Sequence, residues 1–256
     1  MGFQNAGYNV VAAYDYWDVA LNIHRKNFKH PVYKRDLSDL TDISDLALLC
    51  PDIIIGGRPC RDDSTACHRD ETRGRAALTV SFAMIVERIR PKFFIMENVA
   101  VIEKSNTLKT VNKIFRDAGY GITQLTLDAS KCGVPQIRKR YITFGALYGK
   151  DGDAMECLTR GQSERSMTLR DYFGESLGFE YYFRVPTSYK RRGTYSIDEP
   201  SMTIRGVDRP VPKGYKGHPA DPVPLTPDIR SLTPEERSLI QTFPKDFIWE
   251  GSTKNL

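Results

Sequence analysis

The stretch Pro51–Cys60 (PDIIIGGRPC) runs from an apolar strand into a polar, glycine-containing turn that ends in a cysteine. A second segment of the same design, Phe93–Val99 (FFIMENV), leads from apolar residues to Glu97. Between them, Ala76–Arg90 repeats apolar residues at helical spacing until Pro91 stops the pattern. This order of strand, helix and strand predicts a parallel pair. The carboxyl ends of such strands meet at the sheet edge where open α/β sheets bind ligands.

Strand and helix patterns continue outward from this unit through the first half of the chain. The sequence predicts strands over Tyr8–Tyr14, Val32–Lys34, Asp52–Ile55, Phe93–Met96, Ile122–Leu127 and Tyr141–Phe144. It predicts further helices over Val19–Phe28 and Thr107–Asp117. The alternation indicates an α/β fold with a doubly wound, mostly parallel sheet.

The periodicity stops after Leu147, where proline, basic residues and tyrosine become frequent. One clear helix follows within Ser231–Thr242, with Thr233 as its N-cap and Pro234 at its first position. We therefore predict an α/β domain over residues 1–147 and a smaller, loop-rich region over residues 148–256.

Composition limits the classes of protein that this chain can belong to. The 256 residues are 40% hydrophobic, which suits a packed core, and the net charge of +5 fits an anionic partner such as nucleic acid. The five cysteines form no Cys-x-x-Cys pair and the four histidines are scattered, so we expect neither a metal site nor a disulfide framework. The sequence contains no long apolar run and no secretion leader, so we expect a cytosolic protein without a membrane span.

Cys60 differs in context from the other cysteines. It follows Gly56-Gly57-Arg58-Pro59, and Arg58 and Arg61 flank it with positive charge that favours the thiolate. Since a lone cysteine in a cytosolic protein is more often a small buried hydrophobic residue, that interpretation is applied to the remaining four: Cys50, Cys67, Cys132 and Cys157. Cys60 is the candidate nucleophile.

Two aspartates stand at predicted strand ends. In doubly wound sheets a carboxylate near the end of the second strand commonly binds the hydroxyls of a ribose, and Asp15 has that position. Asp36, at the end of the next strand, has oxygens that can accept from an exocyclic adenine amine. Taken alone, an aspartate at such a position is more often a helix cap or a solvated loop charge than a ligand contact.

The chain resembles the DNA cytosine-5 methyltransferases in several sequence motifs and in the order of those motifs along the chain. Gly56–Cys60 is similar to the family's nucleophile loop, Glu97-Asn98-Val99 to its Glu-Asn-Val motif, and Gln136–Arg140 (QIRKR) to its Gln-x-Arg-x-Arg motif. Pro200–Gly206 (PSMTIRG) resembles the segment that packs the recognition domain. Arg58, Arg61 and Asp63 depart from the family's usual residues in the nucleophile loop.

The resemblance implies a fold of the S-adenosylmethionine-dependent methyltransferase type and assigns roles. Cys60 would attack carbon 6 of a flipped cytosine, Glu97 would share a proton with ring nitrogen 3, and Arg140, supported by Arg138, would contact the carbonyl oxygen. A methyl group from S-adenosylmethionine would then reach carbon 5. The residues that the resemblance places at this cofactor are Asp15, Trp17, Asp36, Leu37 and Pro59.

The region between the Gln-x-Arg-x-Arg motif and Pro200 is where the family carries its target-recognition domain. Here it is short, about residues 148–198, and it carries basic residues that suit double-stranded DNA, although a solvated basic face has the same composition. The residues assigned to DNA contact are Arg184, Lys190, Arg191 and Arg192.

Two family motifs have no counterpart in the sequence: the amino-terminal Phe-x-Gly-x-Gly-Gly loop, which would precede Gly2, and the closing Gly-Asn-Ala-Val-Pro motif. The first interpretation is a bacterial or phage-encoded enzyme of a restriction-modification system that methylates carbon 5 of cytosine in a specific DNA sequence. The alternative is a truncated or split-gene subunit that binds DNA and needs a complementing polypeptide for activity. A tRNA-modifying relative is a third possibility.

Overall fold

The computed structural model describes residues 1–57, 75–186, 191–204 and 215–250. Within these ranges no helix is both long enough and apolar enough to cross a bilayer. The chain folds as two units, each of which packs mainly within itself. The first consists of Met1–Leu127 and Lys139–Gly161, and the second of Asp128–Arg138 and Gln162–Leu256.

The strands, in chain order, are β1 (Ala13–Asp15), β2 (Val32–Lys34), β3 (Ile53–Gly57), β4 (Phe93–Val99), β5 (Tyr120–Asp128), β6 (Gln136–Ile137), β7 (Lys139–Leu147), β8 (Tyr181–Phe183), β9 (Thr194–Ser196) and β10 (Ser201–Met202). The helices are α1 (Gly2–Asn5), α2 (Asp18–Asn27), α3 (Ser44–Ala47), α4 (Arg75–Ile89), α5 (Asn106–Asp117), α6 (Met155–Arg160), α7 (Leu169–Phe173) and α8 (Pro234–Ile240). Short 3-10 helices cover Ala100–Lys104 and Ala129–Lys131.

The main sheet of the first unit has the strand order β3-β4-β7-β5. β3 and β4 are parallel, as the sequence predicts, whereas β7 runs antiparallel to β4. Burial alternates along β4, so that Phe94, Met96 and Asn98 face inward and Glu97 faces the other side. The sheet is therefore mixed, and β4, one of its two central strands, carries the predicted catalytic glutamate.

Helices α4 and α5 cover the inward face of this sheet. Phe94 is fully buried, and its ring stacks on Phe115 of α5 at 4.1 Å between centroids. Gly145 of β7 leaves the space that this ring fills, because a Cβ there would lie 1.9 Å from the Phe94 ring. The same apolar cluster contains Ala83 and Val86 of α4. This core fixes β4 and therefore the position of Glu97.

A two-stranded parallel sheet of β1 and β2 precedes the main sheet. Its register pairs Asp15 with Lys34, so both strands end at the same edge. The predicted first strand began at Tyr8, but the observed strand begins only at Ala13, since β2 provides partners only from Val32 onward. Tyr8 is 51% exposed and lies outside the sheet.

The second unit has its own core, in which Tyr182, Tyr195, Ile197 and Ile240 are buried. β8 and β9 form an antiparallel pair, and β6 pairs in parallel with β10. The latter pairing joins Gln136 of the QIRKR segment to Ser201 of the PSMTIRG segment. Neither pairing is predicted by the sequence pattern, because each strand is only two or three residues long.

Helix α8 confirms the predicted capping. The Thr233 side chain accepts from the backbone N–H of Glu236, the Glu236 carboxylate accepts from the backbone N–H of Thr233, and Pro234 opens the helix. Most other predicted elements agree with the structure to within a few residues. The predicted division at residue 147 differs from the observed one, in which residues 148–161 remain with the first unit.

Candidate active site

Glu97 lies near the carboxyl end of β4, between β3 and β7. Its register partners are Gly57 on β3 and Ile142 on β7. Gly57 has no side chain, and a Cβ at this position would contact the Glu97 Oε2 oxygen at 3.4 Å. Gly57 therefore places no side chain against the Glu97 carboxylate.

Arg140 forms an ion pair with Glu97, with 2.6 Å between Nε and Oε1. Since Val99 is the register partner of Arg140, Glu97 and Arg140 are diagonal neighbours on one face of an antiparallel pair. The side chains are 19% (Arg140) and 32% (Glu97) exposed, so the pair is partly shielded from water yet open to a ligand. The Arg140 Nη1 group also donates to the carbonyl oxygen of Lys139 at 2.9 Å.

Two predicted residues of the nucleophile loop, Pro59 and Cys60, lie outside the described residues. The last described residue before them is Gly57, which the parallel register places opposite Glu97. In the sequence, Pro59 and Cys60 come two and three residues after Gly57.

Arg138 belongs to the second unit. Its backbone N–H donates to Asp128 Oδ1 at 3.1 Å, and its carbonyl oxygen accepts from the N–H of Ala129, also at 3.1 Å. These bonds fix the backbone just before the chain returns to the first unit at Lys139.

Asp15 and Asp36 lie at the carboxyl ends of the paired strands β1 and β2, and both are exposed. Asp15 Oδ1 accepts from the backbone N–H of Trp17 at 2.9 Å. Asp36 Oδ1 accepts from the backbone N–H and the hydroxyl of Ser38, and these bonds lower the pKa of the Asp36 carboxyl group. Each carboxylate keeps its Oδ2 oxygen without a hydrogen bond from any described residue. Trp17 and Leu37 are half-buried beside them.

The acceptor oxygens at these strand ends fit a nucleoside. Two carboxyl groups on adjacent strand ends offer acceptors to ribose hydroxyls and to an adenine amine, and the half-buried Trp17 and Leu37 offer apolar surface to a base. Asp15 and Asp36 thus suit the adenosine part of S-adenosylmethionine.

The basic residues predicted to contact DNA lie in the second unit, and they differ in their exposure and in their bonds to other residues. Arg192 forms an ion pair with Glu199 and lies over the ring of Tyr195, 4.4 Å from its centroid. Arg184 donates to the carbonyl oxygen of Thr203 at 2.6 Å and is half-buried. Arg191 is exposed, and Lys190 lies outside the described residues. Of the three described arginines, Arg191 has the side chain most accessible to a ligand.

The prediction that the other cysteines are buried is wrong for the three that are described. Cys50, Cys132 and Cys157 are free and exposed; Cys157 lies in α6, and the other two follow the ends of short helices. Partial burial of the Cys132 thiol and the nearby Asp128 raise the pKa of that cysteine, which disfavours its thiolate. Cys67 lies outside the described residues.

Asp221 is a conspicuous polar centre that sequence reasoning missed. Its carboxylate accepts from the backbone N–H groups of Gly193, Thr194 and His218 and from the hydroxyl of Tyr215. The only signal in the sequence is its place in a turn-forming stretch, Gly214–Pro222 (GYKGHPADP), which gives no indication of its partners.

The model of the family described as C-5 cytosine-specific DNA methylase matches residues 1–196. The Type II methyltransferase M.HindV of Haemophilus influenzae is 48% identical over 259 residues, covering 100% of this chain and 85% of the relative. M.HgiDI of Herpetosiphon aurantiacus, also a Type II methyltransferase, is 46% identical over 253 residues, covering 98% and 82%.

The solved structure of the Dnmt2 methyltransferase of S. pombe superposes with a TM-score of 0.55 at 19% identity, covering 67% of this chain and 54% of that one. This similarity confirms the predicted fold of the S-adenosylmethionine-dependent methyltransferase type. The family match spans more than half of the chain and includes Glu97 and Arg140. The chain therefore belongs to the C-5 cytosine-specific DNA methylase family, the DNA cytosine-5 methyltransferases.

Proposed function

We propose that this protein transfers a methyl group from S-adenosylmethionine to carbon 5 of a cytosine within a specific sequence of double-stranded DNA, as part of a restriction-modification system. The observation that carries the proposal is the Glu97–Arg140 ion pair at the sheet edge, beside the strand end that leads to Cys60. The Type II methyltransferases at 48% and 46% identity support the same reaction and biological setting.

The chemistry requires a nucleophile because cytosine carbon 5 is itself poorly nucleophilic. The Cys60 thiolate would form a bond to carbon 6, and the displaced electrons would make carbon 5 an enamine carbon. Bound S-adenosylmethionine would supply the methyl group there. Removal of the carbon 5 proton and expulsion of the thiolate would then restore the aromatic ring.

Glu97 and Arg140 would stabilise the charge that this attack places on the ring. A carboxyl group at ring nitrogen 3 can share a proton with it, and a guanidinium at the carbonyl oxygen can donate to the developing negative charge. The ion pair and the strand register hold both groups on one face of the sheet, which supports their acting on one base.

Cofactor binding falls to Asp15 and Asp36, with Trp17, Leu37 and Pro59 as supporting contacts. The carboxylates would accept from the ribose hydroxyls and the adenine amine. Their position on adjacent strand ends, each with one oxygen available, supports this assignment.

The target base must leave the duplex, since carbon 6 is shielded within the base stack. The second unit would hold the surrounding DNA through its basic residues, with Arg191 as an exposed phosphate contact and Lys190 beside it in sequence. Arg184 and Arg192 already bond to protein groups, so they would order the recognition surface as well as face DNA. Arg138 would support the contact of Arg140 with the base.

The test is incorporation of a tritiated methyl group from S-adenosylmethionine into unmethylated genomic DNA, followed by sequencing of the 5-methylcytosine positions. Glu97→Gln should lower the rate by about 10² to 10⁴, the usual contribution of a general acid. Glu103→Gln is the matched control, because Glu103 is an exposed glutamate in the 3-10 helix Ala100–Lys104, which follows β4. Methylation at adenine, or equal losses in both variants, would overturn the proposal.

A further inference from the structure

Asp221 joins two segments of the second unit that are far apart in sequence. Its Oδ1 oxygen accepts from the N–H groups of Gly193 at 2.7 Å and Thr194 at 3.1 Å. Its Oδ2 oxygen accepts from the Tyr215 hydroxyl at 2.8 Å and from the N–H of His218 at 2.7 Å. One carboxylate thus ties the start of β9 to the turn at residues 215–221.

Close packing fixes the same junction. A Cβ at Gly193 would lie 2.7 Å from the Tyr215 hydroxyl oxygen and 2.8 Å from the Phe183 ring, so this contact requires glycine. The preceding residue, Arg192, is held by Glu199 and by the ring of Tyr195. The backbone at residues 192–194 is therefore held on both sides.

Each joined segment carries an exposed cation next to a fixed residue. Arg191 lies two residues before Gly193, and Lys216 directly follows Tyr215. Neither forms an ion pair with any residue in the described ranges. A pair of unneutralised cations on a rigid backbone suits the phosphates of DNA, which are bound by arginine and lysine with little regard to sequence.

We propose that Asp221 is a positioning residue that holds Arg191 and Lys216 as a phosphate-binding surface for the DNA substrate. The proposal rests on the proposed function only in taking DNA as that substrate. Aspartate suits this role because an ionised carboxylate only accepts hydrogen bonds, and four donors converge on it. An asparagine would turn an NH₂ group toward at least one of these N–H groups.

The first experiment measures the salt dependence of binding by fluorescence anisotropy, using a labelled duplex of mixed sequence. Each phosphate contact contributes about 0.9 to the slope of log affinity against log salt concentration. Arg191→Ala and Lys216→Ala should each lower the slope by about 0.9, and the double variant by about 1.8. Lys109→Ala is the charge-matched control, because Lys109 is exposed on α5, which covers the sheet face opposite Glu97.

The second experiment separates positioning from a purely structural role. Asp221→Asn should flatten the slope in the otherwise natural protein and have no further effect in the Arg191→Ala/Lys216→Ala background. Tyr215→Phe removes one donor and leaves the carboxylate intact, so it should give a smaller effect of the same kind. It also replaces Asp221→Asn as the test if circular dichroism shows that the asparagine variant does not fold.

Two results would overturn the proposal: unchanged slopes in the alanine variants, or an equal effect of Asp221→Asn in both backgrounds. Both results come from binding measurements, so they do not depend on catalysis. Failure of wild-type protein to methylate cytosine, with the slopes as expected, would overturn the proposed reaction and leave the phosphate-binding surface supported.

Discussion

Glu97 and Arg140 face one another diagonally across β4 and β7, with 2.6 Å between Oε1 and Nε. Because Arg140 Nη1 bonds to the Lys139 carbonyl oxygen, the guanidinium is held from two directions at once. A guanidinium is planar and makes several directed hydrogen bonds, whereas an ammonium group is a single charged point. The geometry of this pair therefore depends on arginine in particular.

Arg140→Lys should lose most of the activity even though the charge is kept. We expect Arg140→Ala to lower kcat by about 10² to 10³, the usual cost of removing one stabilising donor, and Arg140→Lys to recover only part of it. Methyl incorporation at saturating DNA is the measurement. Arg116→Ala breaks an exposed ion pair with Asp151 in the same unit and should leave kcat unchanged, whereas full recovery by lysine would contradict the directional role.

Replacing Cys60 by serine should abolish methylation and leave the fold intact, since a hydroxyl is far less acidic than a thiol. Duplex DNA that carries 5-fluorocytosine at the methylated position should form a covalent adduct with wild-type protein only. Cys157→Ser is the control, because Cys157 is an exposed cysteine of the first unit. An adduct that peptide mass spectrometry maps to Cys132 would refute the assignment.

The sequence predicts the strand that carries Glu97 because its short apolar run and the preceding Pro91 are local signals. The sequence also contains the motifs, and the order of motifs, on which the family resemblance depends. The antiparallel course of β7 is not predicted, because the direction of a strand is set by where the chain enters the sheet, and its apolar pattern is the same in both directions.

The hydrogen bonds of Asp221 are beyond such reasoning for a related reason. Its partners Gly193 and Tyr215 come together through the packing of a loop-rich unit, and nothing in their spacing specifies that contact. The exposure of Cys132 is likewise decided by tertiary structure, because the preference of cysteine for burial is an average over many proteins and does not specify a single position.

Asp36 and Asp39 offer a matched test of the cofactor assignment. Each accepts from the backbone N–H and the hydroxyl of the residue two positions later, so the two have nearly the same local bonds. Asp36→Ala should weaken S-adenosylmethionine binding by about tenfold, the effect of losing one hydrogen bond to a charged acceptor, and Asp39→Ala should not. Isothermal titration calorimetry measures both, and equal losses would show that the turn, and not the ligand contact, matters.

Gly145→Ala should destabilise the first unit, because its Cβ would lie 1.9 Å from the buried ring of Phe94. Overpacking of this kind costs about 1–3 kcal/mol. Gly161→Ala is the control, since nothing lies within 4 Å of its added Cβ and its φ of −83° suits alanine. Urea denaturation should separate the two variants, and equal midpoints would mean that Phe94 moves aside without cost.

Asp171 should make stability depend on pH in the acid range. The backbone N–H of Thr168, the Arg165 guanidinium and the Thr168 side chain lower the pKa of Asp171 to about 2, from an ordinary 3.8. A carboxyl group with a depressed pKa in the folded state stabilises the protein fully above its unfolded-state pKa and loses that contribution as the pH falls. The window is therefore between pH 3.8 and about 2.

Asp171→Asn should accordingly lower the free energy of unfolding at neutral pH and make it fall less steeply than in the wild type as the pH drops through that window. Arg165→Ala, which removes the ion pair but keeps the bonds of the helix cap, should behave in between. Urea titrations at several pH values between about 5 and 2 provide the measurement. Parallel curves for wild type and Asp171→Asn would mean that the carboxylate keeps the same pKa when the protein unfolds.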